Sequence, residues 1–304
     1  MERKDIMTDI IIVGAGTAGL SAAIYGVRAG KSVLIFEASQ IGGQIVNTPD
    51  IENYPGIAHI SGFEFANGLY EQAMNLGAEL KYEKVIGIED KGEKKIVHTE
   101  DGDYEARAVI LATGAKNRSL GLPKEKEFTG RGVSYCATCD GAFFRGKEVA
   151  VAGGGNTAVE DAAFLSNYCS KVYIIHRRDQ FRADEKDVEE LRKKENVEFV
   201  LNSNVVEILG EQKVEGVRVK DKNTGETRDI PVAGFFVAVG QAPENKDFEN
   251  LVKLDDKGYI EADESCRTGV NGIFTAGDCR TKTVRQLTTA AADGAVAALA
   301  AAEV

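Results

Sequence analysis

Short apolar runs alternate with helix-like runs along the chain, the order expected of parallel α/β structure. Residues 9–13 predict a strand, 18–29 a helix ended by Gly30, and 32–37 a second strand, which makes one βαβ unit. The same order returns as a strand at 148–152, a helix at 157–167 and a strand at 171–176. Residues 108–111 and 235–239 are apolar runs that stop at Gly114 and Gly240, as buried strands ending in tight turns do. Residues 117–123 and 240–245 look like crossings between domains. A strand-turn element at 272–278 precedes a small-residue helix at 286–302.

Two βαβ folds in 304 residues agree with the usual length of about 100–200 residues per domain. Hydrophobic content of 43% and charged content of 28% are ordinary for a globular chain. A net charge of −11 argues against a general nucleic-acid or anionic-membrane surface. Met1-Glu2-Arg3-Lys4-Asp5 leads into an apolar run at 10–13 that is shorter than the roughly 7–15 residues of a secretory signal. No run approaches the ~18 apolar residues of a membrane span, so a cytoplasmic protein is expected.

The first βαβ unit carries Gly14-Ala15-Gly16-Thr17-Ala18-Gly19 between strand and helix. Gly14 permits the tight turn, Gly16 lets the backbone approach a pyrophosphate, and Gly19 lets helix and strand pack closely. The helix start offers unpaired N–H groups to a diphosphate. Glu37 ends the next strand, where a carboxylate accepts ribose hydroxyls. In the second unit, Gly153-Gly154-Gly155-Asn156-Thr157-Ala158 has Ala in the last place, which still allows close packing. Its second strand ends in His176-Arg177-Arg178, not in an acid, with Arg182 close by. A carboxylate there would repel a 2′-phosphate and arginines pair with one, so NADPH is the expected nucleotide.

Five cysteines, Cys136, Cys139, Cys169, Cys266 and Cys279, are an odd number at irregular spacing and not a disulfide framework. His59, His98 and His176 are scattered, and no metal site is expected. Cys136-Ala137-Thr138-Cys139-Asp140 spaces two thiols so that they can close a small reducible ring. Half a zinc site would need a second ligand pair. Two unreactive buried cysteines remain open on spacing alone, but beside two dinucleotide folds redox work is the better reading. Asp140 is placed to give the leaving thiolate its proton.

Together these motifs resemble the low-molecular-weight bacterial thioredoxin reductases over nearly the whole chain. The most specific are Cys136–Asp140, Gly153–Ala158 and the run from His176 to Ala183. The resemblance implies two Rossmann-like domains, with an NADPH domain (118–245) inserted into an FAD domain (1–117 and 246–304). It implies FAD at Gly14, Gly16, Ala18, Gly19, Glu37 and Ala38. Gly42, Gly43, Gln44 and Asn53 would be flavin-side loops, and Thr113 and Gly114 a turn beside FAD. Gly277 and Asp278 would lie near ribityl and pyrophosphate, and Arg285, Gln286 and Leu287 near the flavin ring. NADPH would lie on Gly153, Gly155, Asn156, Thr157, Ala158, His176, Arg177, Arg178 and Arg182. Cys139 would face the flavin and Cys136 would attack oxidised thioredoxin, docked near Arg131, Phe143 and Phe144. Ala142 stands where the family often has an aromatic residue. A homodimer and a rotating NADPH domain are also implied. Ferredoxin-dependent reductases and dithiol oxidases of similar architecture tend to lose the second glycine motif or its arginines, and both are present here. A non-catalytic flavin sensor fits poorly with two complete sites plus Asp140.

Overall fold

Ile10, Ile11 and Ile12 are all fully buried, so the first strand, β1 (Thr8–Val13), reads as an unbroken apolar run rather than an alternating one. Ile10 and Ile12 enter one core, and Ile11 and Val13 enter another on the opposite face of the sheet. Each such side chain contributes about 1.5–3 kcal/mol on leaving water. The structure, a computed structural model, describes residues 7–48 and 50–304. The opening residues weighed above for a secretory signal lie outside the described residues.

The elements after β1 are α1 (Thr17–Arg28), β2 (Val33–Phe36), α2 (Gly62–Asn75), β3 (Glu79–Lys81), β4 (Val85–Asp90), β5 (Lys95–Thr99), β6 (Asp103–Leu111) and β7 (Ala115–Asn117). There follow β8 (Val133–Ser134), α3 (Ala137–Asp140), β9 (Glu148–Ala152), α4 (Asn156–Leu165), β10 (Lys171–Ile175), α5 (Glu185–Arg192), β11 (Val197–Val200), β12 (Ser203–Leu209), β13 (Gly216–Asp221), β14 (Thr227–Pro231) and β15 (Gly234–Val237). The chain closes with β16 (Gln241–Pro243), β17 (Ile273–Thr275) and α6 (Leu287–Ala302). Two compact units result, one from residues 7–116 with Ala242–Val304, the other from Asn117–Gln241.

In the first unit β3, β2, β1 and β6 are parallel neighbours, and β17 adds to the far side of β6. β6 changes partners along its length within this one seven-stranded sheet. Its first half pairs antiparallel with β5 and alternates in exposure, while its second half, 108–111, is fully buried between β1 and β17. Only that second half was expected from its apolar run. The β4–β5–β6 meander was not, because its residues alternate over too short a length. Helix α2 is a further addition to the expected elements, and Ser61 and Glu64 form a capping box at its start. α6 lies against α1 so closely that a Cβ on Gly294 would stand 2.2 Å from the Ala18 carbonyl oxygen.

The second unit is a parallel sheet in the order β11-β10-β9-β15-β8, and the antiparallel β12-β13-β14 ribbon is inserted in the chain between β11 and β15. The α/β class with two nucleotide folds, the second inserted in the first, is therefore as expected. The chain rejoins the first unit at Ala242, before the 246 expected. Asn245 explains the difference: it is 1% exposed, and its Nδ2 donates to the carbonyls of Gly258 and Cys279.

Candidate active site

In the first unit the expected FAD residues converge from separate segments onto the C-terminal ends of β1, β2, β6 and β17. Gly14 turns with φ +107°, and a Cβ there would lie 2.4 Å from the Ala112 oxygen. A Cβ on Gly19 would lie 1.9 Å from the Gly14 oxygen, whereas Gly16 has nothing closer than 3.9 Å. The first two glycines are thus demanded by packing, and Gly16 leaves a face of backbone open to a ligand. Glu37 is held at the end of β2 by the N–H groups of Ala15 and Ser39, each 2.8 Å from one carboxylate oxygen. Ala38 beside it is exposed. Gly42 donates its N–H to the Ala15 carbonyl at 2.8 Å, which draws Gly42, Gly43 and Gln44 alongside the turn. Gln44 then donates to the Ala115 carbonyl.

Asn53 donates to Gln286 at 3.2 Å, so the 53–56 loop meets the start of α6, with Leu287 as its first residue. Thr113 donates to the Asn245 side chain at 2.8 Å, just ahead of the Gly114 turn. Arg285 lies over the Tyr259 ring at 4.2 Å and donates to the carbonyls of Asp278 and Arg280. Asp278 follows Gly277 (φ +82°), and its buried Oδ1 has no hydrogen-bond partner. Burial pushes this carboxyl above the ordinary range. A Cβ on Gly277 would lie 2.8 Å from the Ala18 Cβ of the first glycine motif, and a buried acceptor next to such a close approach fits the ribityl and diphosphate part of a dinucleotide such as FAD. Tyr259 and Asn245 were not foreseen, since each acts through a neighbour distant in sequence. Among the described residues, Asp50, Glu52 and His59 bring possible ligand atoms within 4.8 Å, on a loop where two of them are exposed. They lack the fourth protein ligand of a closed structural zinc site.

In the second unit a Cβ on Gly153 would lie 2.3 Å from the Ala238 oxygen and 2.6 Å from the Ala158 Cβ, so the packing of Ala158 and Ala238 around the turn demands glycine at 153. Gly155 has nothing within 4 Å and again presents open backbone at a helix start. The loop carrying the arginines is tied to this turn twice. Arg182 N–H donates to the Gly154 carbonyl at 2.7 Å, and Asp184 N–H donates to the Asn156 side chain at 3.2 Å. Thr157, Arg177, Arg178 and Arg182 are all exposed. His176 is placed differently from the arginines. The residue is 5% exposed, and its ring stacks on Phe181 and sits where a Gly154 Cβ would be, 2.0 Å from that position. Burial holds its pKa below the usual value, so it acts as a neutral wedge that shapes the loop.

Cys136 and Cys139 form a disulfide with Cα atoms 5.3 Å apart. Cys136 caps the single turn α3, and the Asp140 N–H closes it on the Cys136 carbonyl at 3.1 Å. The strand before it is braced by Glu125, which is 3% exposed and accepts from Leu120 N–H, Leu122 N–H and the Tyr135 hydroxyl. Burial pushes the Asp140 carboxyl up, partly offset by Ser134. A raised carboxyl beside a disulfide is suited to donate a proton near neutral pH. Cys169, Cys266 and Cys279 are buried free thiols. Of the aromatic pair after the cysteines, Phe143 is exposed, whereas Phe144 turns inward onto Phe236 at 5.4 Å. Arg131 is exposed.

Two nucleotide folds, with a reducible cysteine pair built into the second, define a nucleotide-dependent disulfide oxidoreductase. The chain belongs to the pyridine nucleotide-disulphide oxidoreductase family, whose model matches residues 8–294. Within that family it is similar to thioredoxin reductases. The Bacillus subtilis (strain 168) thioredoxin reductase is 47% identical over 95% of this chain and 92% of its own. The crystal structure of thioredoxin reductase from Streptococcus pyogenes MGAS5005 matches with a TM-score of 0.94 at 45% identity, covering 98% of both chains. Lactococcus lactis thioredoxin reductase in its FR conformation matches with a TM-score of 0.67 at 43% identity, covering 97% of this chain and 98% of that one. The resemblance read from the motifs is borne out, and FAD and NADPH are the cofactors that accord with it.

Proposed function

We propose that this protein is an NADPH-dependent flavoprotein disulfide reductase that reduces oxidised thioredoxin through Cys136 and Cys139. The observation that carries the reading is the disulfide on α3, placed one residue from a carboxyl that burial makes more basic. Held by the first unit, FAD would supply the hydride-accepting and electron-donating chemistry between NADPH and the disulfide. The chain's own residues do the rest. Gly155 and the 177–182 arginines hold the nucleotide and its 2′-phosphate. Gly16, Glu37 and Asp278 hold the flavin dinucleotide. Reduction of the Cys136–Cys139 bond yields two thiols, with Asp140 giving the departing thiolate its proton. The Cys136 thiolate then attacks the thioredoxin disulfide to form a mixed disulfide, which Cys139 displaces to regenerate the ring.

The cysteines and NADPH share one unit and must both serve one flavin, so the NADPH unit turns relative to the FAD unit during the cycle. Partner docking near Arg131 and Phe143, with Phe144 beneath, belongs to the same reading, as do a homodimer and cytoplasmic residence. Three buried free thiols are in keeping with a reducing compartment.

Anaerobic titration tests the whole reading. NADPH should bleach the flavin, and the reduced enzyme should then reduce a bacterial thioredoxin. NADH should be at least tenfold weaker, since hydrogen bonds to a charged group are worth about 1.5–3 kcal/mol each. The double variant Arg177→Ala/Arg178→Ala should lose NADPH affinity and keep that for NADH. Equal losses for both nucleotides would remove the arginines from this role.

A further inference from the structure

Behind the Gly277–Asp278 turn lies a buried ionic cluster with no part in the roles assigned so far. Asp293 on α6 is 7% exposed, Arg280 is 4% exposed, and the Lys282 side chain is 7% exposed. One Asp293 oxygen, Oδ2, accepts from Gly277 N–H (3.0 Å), Arg280 Nε (2.9 Å) and Lys282 Nζ (2.8 Å). The other, Oδ1, accepts from Arg280 Nη2 at 2.8 Å. Every donor lies within residues 277–282, and Asp278 is inside that stretch.

A cluster kept for stability alone has a simpler solution. Replacing a buried ion pair with well-packed apolar groups is often neutral or stabilising. Here two cations share one carboxylate, so the cluster carries a surplus positive charge in a buried place. The acid next to it is Asp278, whose Oδ1 has no hydrogen-bond partner among the described residues. The neighbouring charges that face Asp278 are Lys282, Arg285 and Asp293. The arrangement ties the turn to α6 at three points while leaving the Asp278 carboxyl free to meet a ligand.

We propose that Asp293 is a positioning residue for FAD: by gripping Gly277, Arg280 and Lys282 it folds the 277–282 segment onto α6 and so aims the Asp278 carboxyl at the ribityl and pyrophosphate. The role rests on the reading that the first unit holds FAD, and the test separates the two. The FAD-loaded full chain is diluted, and flavin release is followed by recovery of free-flavin fluorescence. Visible circular dichroism of the bound flavin is recorded alongside. A parent chain that neither carries flavin nor takes it up from added FAD would end the cofactor reading itself.

With the parent loaded, Asp293→Asn and the triple variant Arg280→Met/Lys282→Met/Asp293→Leu are compared. Both should keep their far-UV dichroism, a cooperative melt and parent-like NADPH affinity. Both should raise the FAD dissociation constant at least tenfold and change the visible dichroism of the flavin that remains. Asp293→Glu should recover part of the loss. FAD binding within twofold of the parent in either folded variant would overturn the role. So would loss of the fold in both, which would make the cluster a structural brace only.

Discussion

Asp140 and Asp161 are both carboxyls raised by burial, and they make opposite demands on the molecule. Asp140 stands beside the disulfide, where a protonated carboxyl is useful. Its raised pKa extends the protonated fraction toward neutral pH, so thiol exchange in the parent should slow as pH rises through that pKa. Asp140→Asn should remove this limb and slow thioredoxin reduction on the order of 10²-fold or more, while NADPH still bleaches the flavin at the parent rate. Stopped-flow absorbance at several pH values separates the two steps. Asp161, on α4, has no such neighbour. Burial, and then Glu160, push it up to about 7. Its native state holds a proton that the unfolded chain has already lost above about pH 4, so stability falls as pH rises from 4 to 7. Asp161→Asn should therefore stabilise the protein at pH 8 by roughly 1–3 kcal/mol and much less at pH 5. Urea melts at the two pH values decide it. Asp140 was legible from its place after Cys139. The setting of Asp161 was not, because burial is a property of the packed chain.

At the scale of elements, the two strand–glycine–helix units read directly because their signals are local. The strand runs are apolar after a polar or charged first residue or two, and their glycines stand at fixed offsets. The structure separates those glycines by purpose. Gly153 is required by the Ala238 carbonyl 2.3 Å from its missing Cβ, whereas Gly155 has free space around it. Gly153→Ala should cost about 1–3 kcal/mol of stability, as overpacking does. Gly155→Ala should change stability by no more than about 1 kcal/mol yet weaken NADPH severalfold or more. Thermal melts with nucleotide titration on both variants check the division. Parent-like NADPH affinity in Gly155→Ala would mean that no phosphate approaches that backbone. The meanders β4–β6 and β12–β14 were missed for a physical reason. Their strands are short, pair with sequence neighbours and mix exposed with buried positions irregularly, so no apolar run or clean alternation marks them.

For the molecule as a whole, the chain crosses between its units twice, and the crossing strands β7 and β16 pair with each other. A two-strand connection of this kind allows one rigid unit to turn on the other. An engineered crosslink between the units should abolish steady-state turnover while leaving one half-reaction intact, either flavin reduction by NADPH or exchange with thioredoxin. Single-turnover absorbance traces distinguish these. Full turnover in a locked enzyme would end the rotation proposal.

The sequence by itself determined the two nucleotide folds, the preference for a 2′-phosphate and the reactive cysteine pair. Each of these depends on residues close together in the chain and on backbone that only glycine permits. Tertiary structure decided the rest. It showed which glycines are packed and which are open, and that His176 is a buried wedge while its arginine neighbours are exposed. It left Asp278 Oδ1 without a hydrogen-bond partner among the described residues and brought Asp293 to Gly277, Arg280 and Lys282. Burial and long-range hydrogen bonds set these features, and both exist only once distant segments have packed.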